Sequence, residues 1–422
     1  MIALKDSFNQ VSMHDPTPDI IDIYKDVPEI NEKDNRGESI CRPLFSHSSL
    51  PDRMDMKLIS VQEFDFKSEF SYFVHVHHNQ RLWPKHIHKI PDIILDNIRK
   101  GNGWLIFDNT LEGDRIDGEY LLDQFYGNLK KLKLPLDKIV FVTNDLNAEQ
   151  THKEFGSNER IKVISYMWNV YDVKRLTKNK HLRKVIAQEE IDYKKININK
   201  VKHFLKVNRT NRPERDLCML FIEKENLYNE FKISFPQLGE DKFPPHNRFK
   251  KYTTSELIKS LESKLPFDID DTDKTNHGPA GIGKGKFDAD LPLRPIHYRD
   301  TLISLVLGAF PFIENCCHLH SSTYNPIYQG HPIIQFGPYK SLERMREQGF
   351  KTFGEWWDES YDDIKDGWER FHAVLSLVHK ISTLPKHEVL GMLDEMIGVL
   401  QHNIDLINSY SIENLYDKIY ND

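Results

Sequence analysis

The chain has 422 residues, 39% of them hydrophobic and 11% aromatic, and a formal charge of -7. That length exceeds what one core usually organises, so two domains are expected, each with enough apolar residues to bury. The acidic balance argues against wholesale coating of nucleic acid, no apolar run reaches the roughly eighteen residues of a spanning helix, and MIALKDSFNQ lacks a basic-then-apolar leader. Cys41, Cys218, Cys316 and Cys317 make no disulfide framework, which fits a reducing cytoplasm.

Residues 1 to 60 are polar and broken by prolines, so an irregular arm is expected there. KSEFSYFVHVHH then alternates like a strand, PDIILDNIRKG reads as a helix closed by Gly101, and WLIF (104 to 107) as a short buried strand. EYLLDQFYGNLKKL places Leu122, Phe125, Leu129 and Leu132 on one helical face, and KIVFVTND and IKVISY are further strands. Strands alternating with helices point to parallel βαβ units over 61–195.

YKKININK supplies a linker at 196–200, and a second series over 201–400 follows. HFLKVNR reads as a strand, PERDLCMLFIEKENL as a helix with proline in its first turn, and SELIKSLESKL as another helix. After a loop rich in Gly, Asp and Pro come the apolar TLISLVLGAFPFI, a buried strand HPIIQFG and a helix SLERMREQG. Phe371, Val374, Leu375 and Val378 recur at helical spacing, as do Leu393, Met396, Ile397 and Leu400, before a tail at 401–422.

GPAGIGKG (278 to 285) approaches a phosphate-binding P-loop through Gly278, Gly283 and Lys284, but Gly285 stands where a hydroxyl must hold magnesium. It also lacks the strand before and the helix after, so it reads as loop. The histidines 75, 77, 78, 86 and 88, and the CCHLH stretch with Cys316, His318 and His320, lack the paired spacing of a zinc site. DIDDTD (268 to 273) lacks the EF-hand glycine and closing glutamate. No bound metal is expected.

KVNRTNRPER (206 to 215) is the sharpest signal, because it sets Lys206, Arg209, Arg212 and Arg215 around a strand-to-helix turn. Ligands of open α/β sheets bind at the carboxyl ends of strands, and arginine forks suit phosphate oxygens. A diphosphate site and a solvated basic face are both compatible with it. The bases from Lys174 to Arg215 outnumber the acids, which leaves open a nucleic-acid backbone or a soluble linker. Asp108, ending WLIF, and Glu112, in DNTLEGD, are candidate general bases, with turn chemistry as the plain alternative for Asp108.

HPIIQFGPYKSLERMREQGFKTFGEWWDESYDDIKDGWER resembles the carboxyl-terminal segment of viral and phage glycosyltransferase-like proteins, and KVNRTNRPER resembles the segment opening their second domain. Trp83, IPDIILDNIRKG and the Glu112-Gly113 pair are similar to their first domain. The resemblance implies an α/β GT-B architecture: two Rossmann-like domains facing a cleft, with C-terminal helices, the acceptor held mainly by the first and a nucleotide sugar by the second. It implies that Asn208, Arg209, Arg212 and Arg215 contact donor phosphates, with Lys206 beside them and no cofactor beyond the nucleotide-sugar co-substrate. TYNPI (323 to 327) matches part of a family motif, whereas His320, Ser321 and Ser322 replace Thr-Glu-Lys and Asn325 replaces a later lysine. Ser321, Ser322, Thr323, Tyr324 and Asn325 are expected to hydrogen-bond the donor.

The expectation is a cytoplasmic, inverting glycosyltransferase with a UDP-sugar donor favoured, Glu112 or Asp108 deprotonating an acceptor hydroxyl. The acceptor readings are a 5-hydroxymethyl-pyrimidine in phage DNA, a glycan or a small molecule. The rival is a non-catalytic GT-B-like protein that binds nucleic acid.

Overall fold

The computed structural model describes residues 2–5, 57–75, 87, 90–110, 119–155, 160–170, 173, 196–208, 212–239, 247–267, 269, 295–308, 310–313 and 315–421. It divides into two compact units, Met1–Trp168 with Ser411–Asp422, and Asn169–Tyr410. The division falls at 168/169, so the expected linker 196–200 is a turn inside the second unit.

The first unit is built on a six-stranded parallel sheet of order β2-β1-β3-β4-β5-β6. Its strands are β1 (Ile2–Lys5), β2 (Lys57–Ser60), β3 (Phe70–His75), β4 (Gly103–Asn109), β5 (Ile139–Thr143) and β6 (Lys162–Ser165). Two of these correct the expectation of an irregular arm over residues 1 to 60. Ile2 pairs with Lys57 on one side and Phe70 on the other, so β1 lies inside the sheet. IALK and KLIS stand amid polar, proline-broken sequence with no longer apolar run to mark them.

Helices α1 (Asp92–Arg99), α2 (Glu119–Lys131) and α3 (Ala148–Phe155) supply the connections. Ile94, Leu95 and Ile98 of α1 and Phe125 and Leu129 of α2 are buried against Phe70, Tyr72, Leu105, Phe107 and Phe141. Gly101 closes α1 with a left-handed φ of 81°, as its place in the sequence suggests. Gly103 has a different reason: a Cβ there would lie 2.5 Å from the ring of Phe70, its register partner. A side chain would displace that ring from the core.

The second unit carries a four-stranded parallel sheet of order β10-β9-β7-β8. Its strands are β7 (Lys202–Val207), β8 (Phe231–Ser234), β9 (Thr301–Leu307) and β10 (Ile333–Phe336). Every residue of β9 is buried, which explains why TLISLVL shows no alternation: a parallel strand covered on both faces reads as a continuous apolar run. Around the sheet lie α4 (Pro213–Lys224), α5 (Ser255–Glu262), α6 (Pro295–Arg299), α7 (Ser321–Tyr328), α8 (Ser341–Glu347), α9 (Gly367–Ser382) and α10 (Lys386–Ser409). On α10, Leu393, Met396 and Leu400 are buried, but Ile397 is 50% exposed and leaves the expected apolar face. The expected break at 400/401 falls inside α10, and α11 (Glu413–Tyr420) belongs to the first unit.

Both units are therefore parallel α/β assemblies of the Rossmann-like kind. In the second, the chain runs from β7 outward to β8 and later returns to the other side of β7 as β9. The carboxyl ends of β7 and β9 thus flank a topological switch point, where a crevice forms in such sheets.

Candidate functional site

The KVNRTNRPER stretch lies at that switch point. β7 ends at Val207, Arg212 is extended at the N-cap of α4, and Pro213 occupies the first helical position, where its missing N–H costs no hydrogen bond. Lys206, Asn208, Arg212 and Arg215 are brought together there, whereas Arg209 lies outside the described residues.

These basic groups are not equivalent. Lys206 is fully buried, with its ammonium 5.3 Å from the ring centre of Phe235. With the Asn208 amide oriented by its neighbours, Asn208 accepts from Lys206 Nζ at 2.6 Å and donates to the Val207 carbonyl at 3.0 Å. Burial pulls the Lys206 ammonium down to about 8, against opposing pulls from Cys218, Asp216 and Glu214, with Arg215 adding to the fall.

Arg215 is also largely enclosed. Its Nη2 donates to the Leu307 carbonyl at 3.2 Å, tying the first turn of α4 to the end of β9. Burial and the neighbouring Arg212 bring its guanidinium down to about 10. Arg212 is half-exposed and lies over the Phe310 ring, 5.5 Å from its centre.

Two acids share this turn. Asp216 is buried and accepts from the Gly239 amide at 2.9 Å. Glu214 is buried, its Oε1 meets no hydrogen-bond donor among the described residues, and burial raises its carboxyl while its own backbone N–H opposes that rise. A carboxylate is thus already seated at the positive end of α4. Lys206 and Arg215 face inward beside Glu214 and Asp216, and Arg212 is the described guanidinium open to an anion.

The same inward turn affects other bases of the run. Lys202 Nζ donates to the carbonyls of Tyr228 and Phe231 at 3.0 and 2.8 Å. The run from Lys174 to Lys195 lies outside the described residues, as do GPAGIGKG, Glu112 and the histidines 77, 78, 86 and 88.

The expected donor contacts on α7 separate into different environments. His320 is the N-cap: it accepts from the Ser322 amide at 3.5 Å and shares a 3.0 Å hydrogen bond with Ser321 Oγ. Ser322 is exposed and Ser321 buried. Thr323 is buried and donates to Gln335 Oε1 of β10 at 3.1 Å, Tyr324 is buried against Phe350, and Asn325 is buried one residue before Pro326. Thr323 and Tyr324 are therefore packed into the core of the unit. Proline inside TYNPI hid the helix that turns them inward.

In the first unit, Asp108 is buried at the end of β4. Its Oδ1 accepts from Thr110 N at 3.1 Å and from Thr110 Oγ1 at 2.6 Å, the turn chemistry weighed against a catalytic role. Beside it Thr143 Oγ1 donates to Asn109 Oδ1 at 3.0 Å. In the CCHLH stretch, Cys316, Cys317 and His318 are buried and His320 is spent on capping. Among the described residues no cluster of His, Cys, Asp and Glu could hold a metal ion.

Sequence reasoning missed Phe310, Glu214 and Gln335. Glu214 was visible within RPER, but its inward direction follows only from the turn of α4. Gln335 sits where a Cβ at Gly308 would lie 2.9 Å from its Nε2, so glycine leaves room for the amide at the end of β9. Nothing local in HPIIQFG marks it.

No protein-family model and no curated protein matches the chain. Several solved structures do. A trehalose-6-phosphate synthase, OtsA, is 12% identical over 85% of this chain and 74% of its own, with a TM-score of 0.41. The UDP-forming trehalose-phosphate synthase of Burkholderia xenovorans is 10% identical over 83% and 74%, with a TM-score of 0.39. The α/β class rests on the strand pairings of the two units, and the site on its own geometry. No helix among the described residues is long and apolar enough to cross a membrane.

Proposed function

We propose that this chain is a glycosyltransferase of GT-B type that takes a sugar from a nucleoside diphosphate to an acceptor hydroxyl. The observation that carries the reading is Arg212 at the start of α4, beside the switch point between β7 and β9, with Lys206, Asn208 and Arg215 behind it. A guanidinium and a helix N-terminus neutralise the charge that develops on a departing diphosphate, and the departing group needs no metal when they do so. Arg209 completes the basic arm in this reading.

The acceptor side rests on the first unit. Thr110 occupies Asp108 Oδ1, which favours Glu112 over Asp108 as the base for inversion at the sugar. The anomeric configuration of the product, read by NMR, tests that step: retention of the donor configuration removes Glu112 from the role. The basic run that suggested DNA lies largely outside the described residues, so the acceptor is proposed only as a hydroxyl.

Thermal unfolding with UDP-, GDP-, ADP- and CMP-sugars tests the donor, UDP-sugars first, because a ligand bound to the folded state raises its melting temperature. One nucleotide class should stabilise the native chain, and Arg212→Ala should reduce that gain. Equal stabilisation of Arg212→Ala would move the donor away from α4, and no donor effect would favour the non-catalytic reading.

A further inference from the structure

We propose that Arg370 is a positioning residue for the diphosphate site, acting through the loop after β9 to hold Phe310 beneath Arg212. The proposal rests on the donor reading above for its ligand, but its geometry stands without it.

Arg370 lies in the first turn of α9 and is almost completely buried. Such burial of a guanidinium is costly unless its N–H groups are satisfied. Here they are satisfied by carbonyls from three separate segments. Nε donates to Gly337 at 3.2 Å, Nη1 to Ile364 at 2.5 Å and Lys365 at 3.1 Å, and Nη2 to Pro311 at 2.5 Å. The guanidinium also covers the Phe336 ring, 5.8 Å from its centre.

Those partners define what the fork does. Pro311 directly follows Phe310, and Gly337 directly follows β10. Arg370 therefore ties together the chain leaving two neighbouring strands at their carboxyl ends. Phe310 has a left-handed φ of 54°, a conformation that a residue with a Cβ holds only when its surroundings impose it. Packing on the next residues supplies part of that constraint: the Phe312 ring lies tilted against Trp368, centres 4.1 Å apart, and a Cβ at Gly367 would lie 2.4 Å from the Phe312 ring. The hydrogen bond from Arg370 to Pro311 supplies the part nearest Phe310.

Lysine keeps the charge but cannot reach three segments with one fork. Arg370→Lys should therefore release Phe310 without removing the cation. Phe310→Leu removes the ring directly and is the reference variant.

The first readout needs no ligand. The Arg212 side-chain N–H signal in an arginine-labelled sample should carry a ring-current shift in the native chain, lost in Phe310→Leu and lost or halved in Arg370→Lys. The second is UDP affinity in a double-mutant cycle. Arg370→Lys should weaken UDP roughly tenfold in the native background and leave affinity unchanged in the Arg212→Ala background, as expected of coupled residues.

An Arg212 signal unmoved by Arg370→Lys, with only a lower melting temperature, would overturn the proposal and make Arg370 a purely structural clamp. Absence of UDP binding by the native chain would count against the donor reading, while the Arg212 signal would still decide the positioning role. If Arg370→Lys does not fold, Arg370→Gln, which keeps an N–H donor but loses the three-way fork to Gly337, Ile364 and Pro311, should reproduce the Arg212 shift. An unmoved signal in that variant overturns the proposal too.

Discussion

Glu214 and Thr323 show how the direction of a side chain decides its chemistry. Glu214 occupies the start of α4 with a carboxylate, where an incoming phosphate would be placed, and it offsets the charges of Lys206 and Arg215. Replacing it with glutamine keeps the shape and removes the competing charge. Glu214→Gln should tighten nucleoside-diphosphate binding by roughly three- to tenfold, the scale of one charge near a helix terminus. Titration calorimetry checks this, and weaker binding would make Glu214 a ligand contact instead of a competitor. Thr323 is the opposite case, a polar group expected at the donor but spent on Gln335. Thr323→Val should cost about 1–3 kcal/mol in urea unfolding because Gln335 loses a buried partner, with donor affinity unchanged. A large loss of affinity without a loss of stability would return Thr323 to the site.

At the scale of elements, α11 is the C-terminal piece that completes the first unit. Leu415 and Ile419 are fully buried, Tyr420 Oη and Ser71 Oγ share a 2.8 Å hydrogen bond, and Tyr420 meets the Trp104 ring edge-on at 5.6 Å. Tyr420→Phe should cost about 1 kcal/mol for the lost hydrogen bond. A chain ending at Tyr410 should lose far more, because each buried aliphatic side chain of α11 contributes about 1.5–3 kcal/mol. Hydrogen exchange on β3 and β4 would report it, and protection unchanged by the truncation would show α11 to be dispensable. This docking was not legible in the sequence, because nothing local in SIENLYDKIY says which unit it joins. The elements whose signals are local were readable: α4 from its first-turn proline, α1 from Gly101, β10 from its apolar run in HPIIQFG. The four-residue β1 and β2 and the proline-containing α7 were not, since their order comes from neighbours. For the site, sequence placed the bases at a strand-to-helix turn, but not the inward course of Lys206, Glu214 and Arg215.

At the scale of the whole molecule, each unit carries a histidine that its surroundings keep neutral. In the first, Tyr126 accepts from the Ile161 amide at 3.1 Å, which leaves its hydroxyl proton for His152 Nε2 at 2.6 Å. Burial, with Arg160 adding to it, lowers His152 from 6.5 to about 4. In the second, His331 donates from Nε2 to the Thr301 carbonyl at 3.0 Å and meets Ser304 Oγ through Nδ1 at 2.9 Å. Burial lowers it to about 4 as well, with the Thr301 bond opposing. A histidine depressed in the folded state binds its proton first in the unfolded chain, so its stabilising contribution is complete above about 6.5 and falls away as the pH drops towards 4. Each histidine should therefore weaken its own unit, by a few kcal/mol on the order of two pKa units. Both units should soften across the same acid window, although they fold around separate sheets. Urea unfolding at pH 7, 5.5 and 4, followed by one probe in each unit, should show both midpoints falling together. NMR titration of the native chain should find neither imidazole charging above pH 5. A midpoint near 6.5 at either histidine would mean that water reaches that ring, and acid sensitivity would then have to arise elsewhere in that unit.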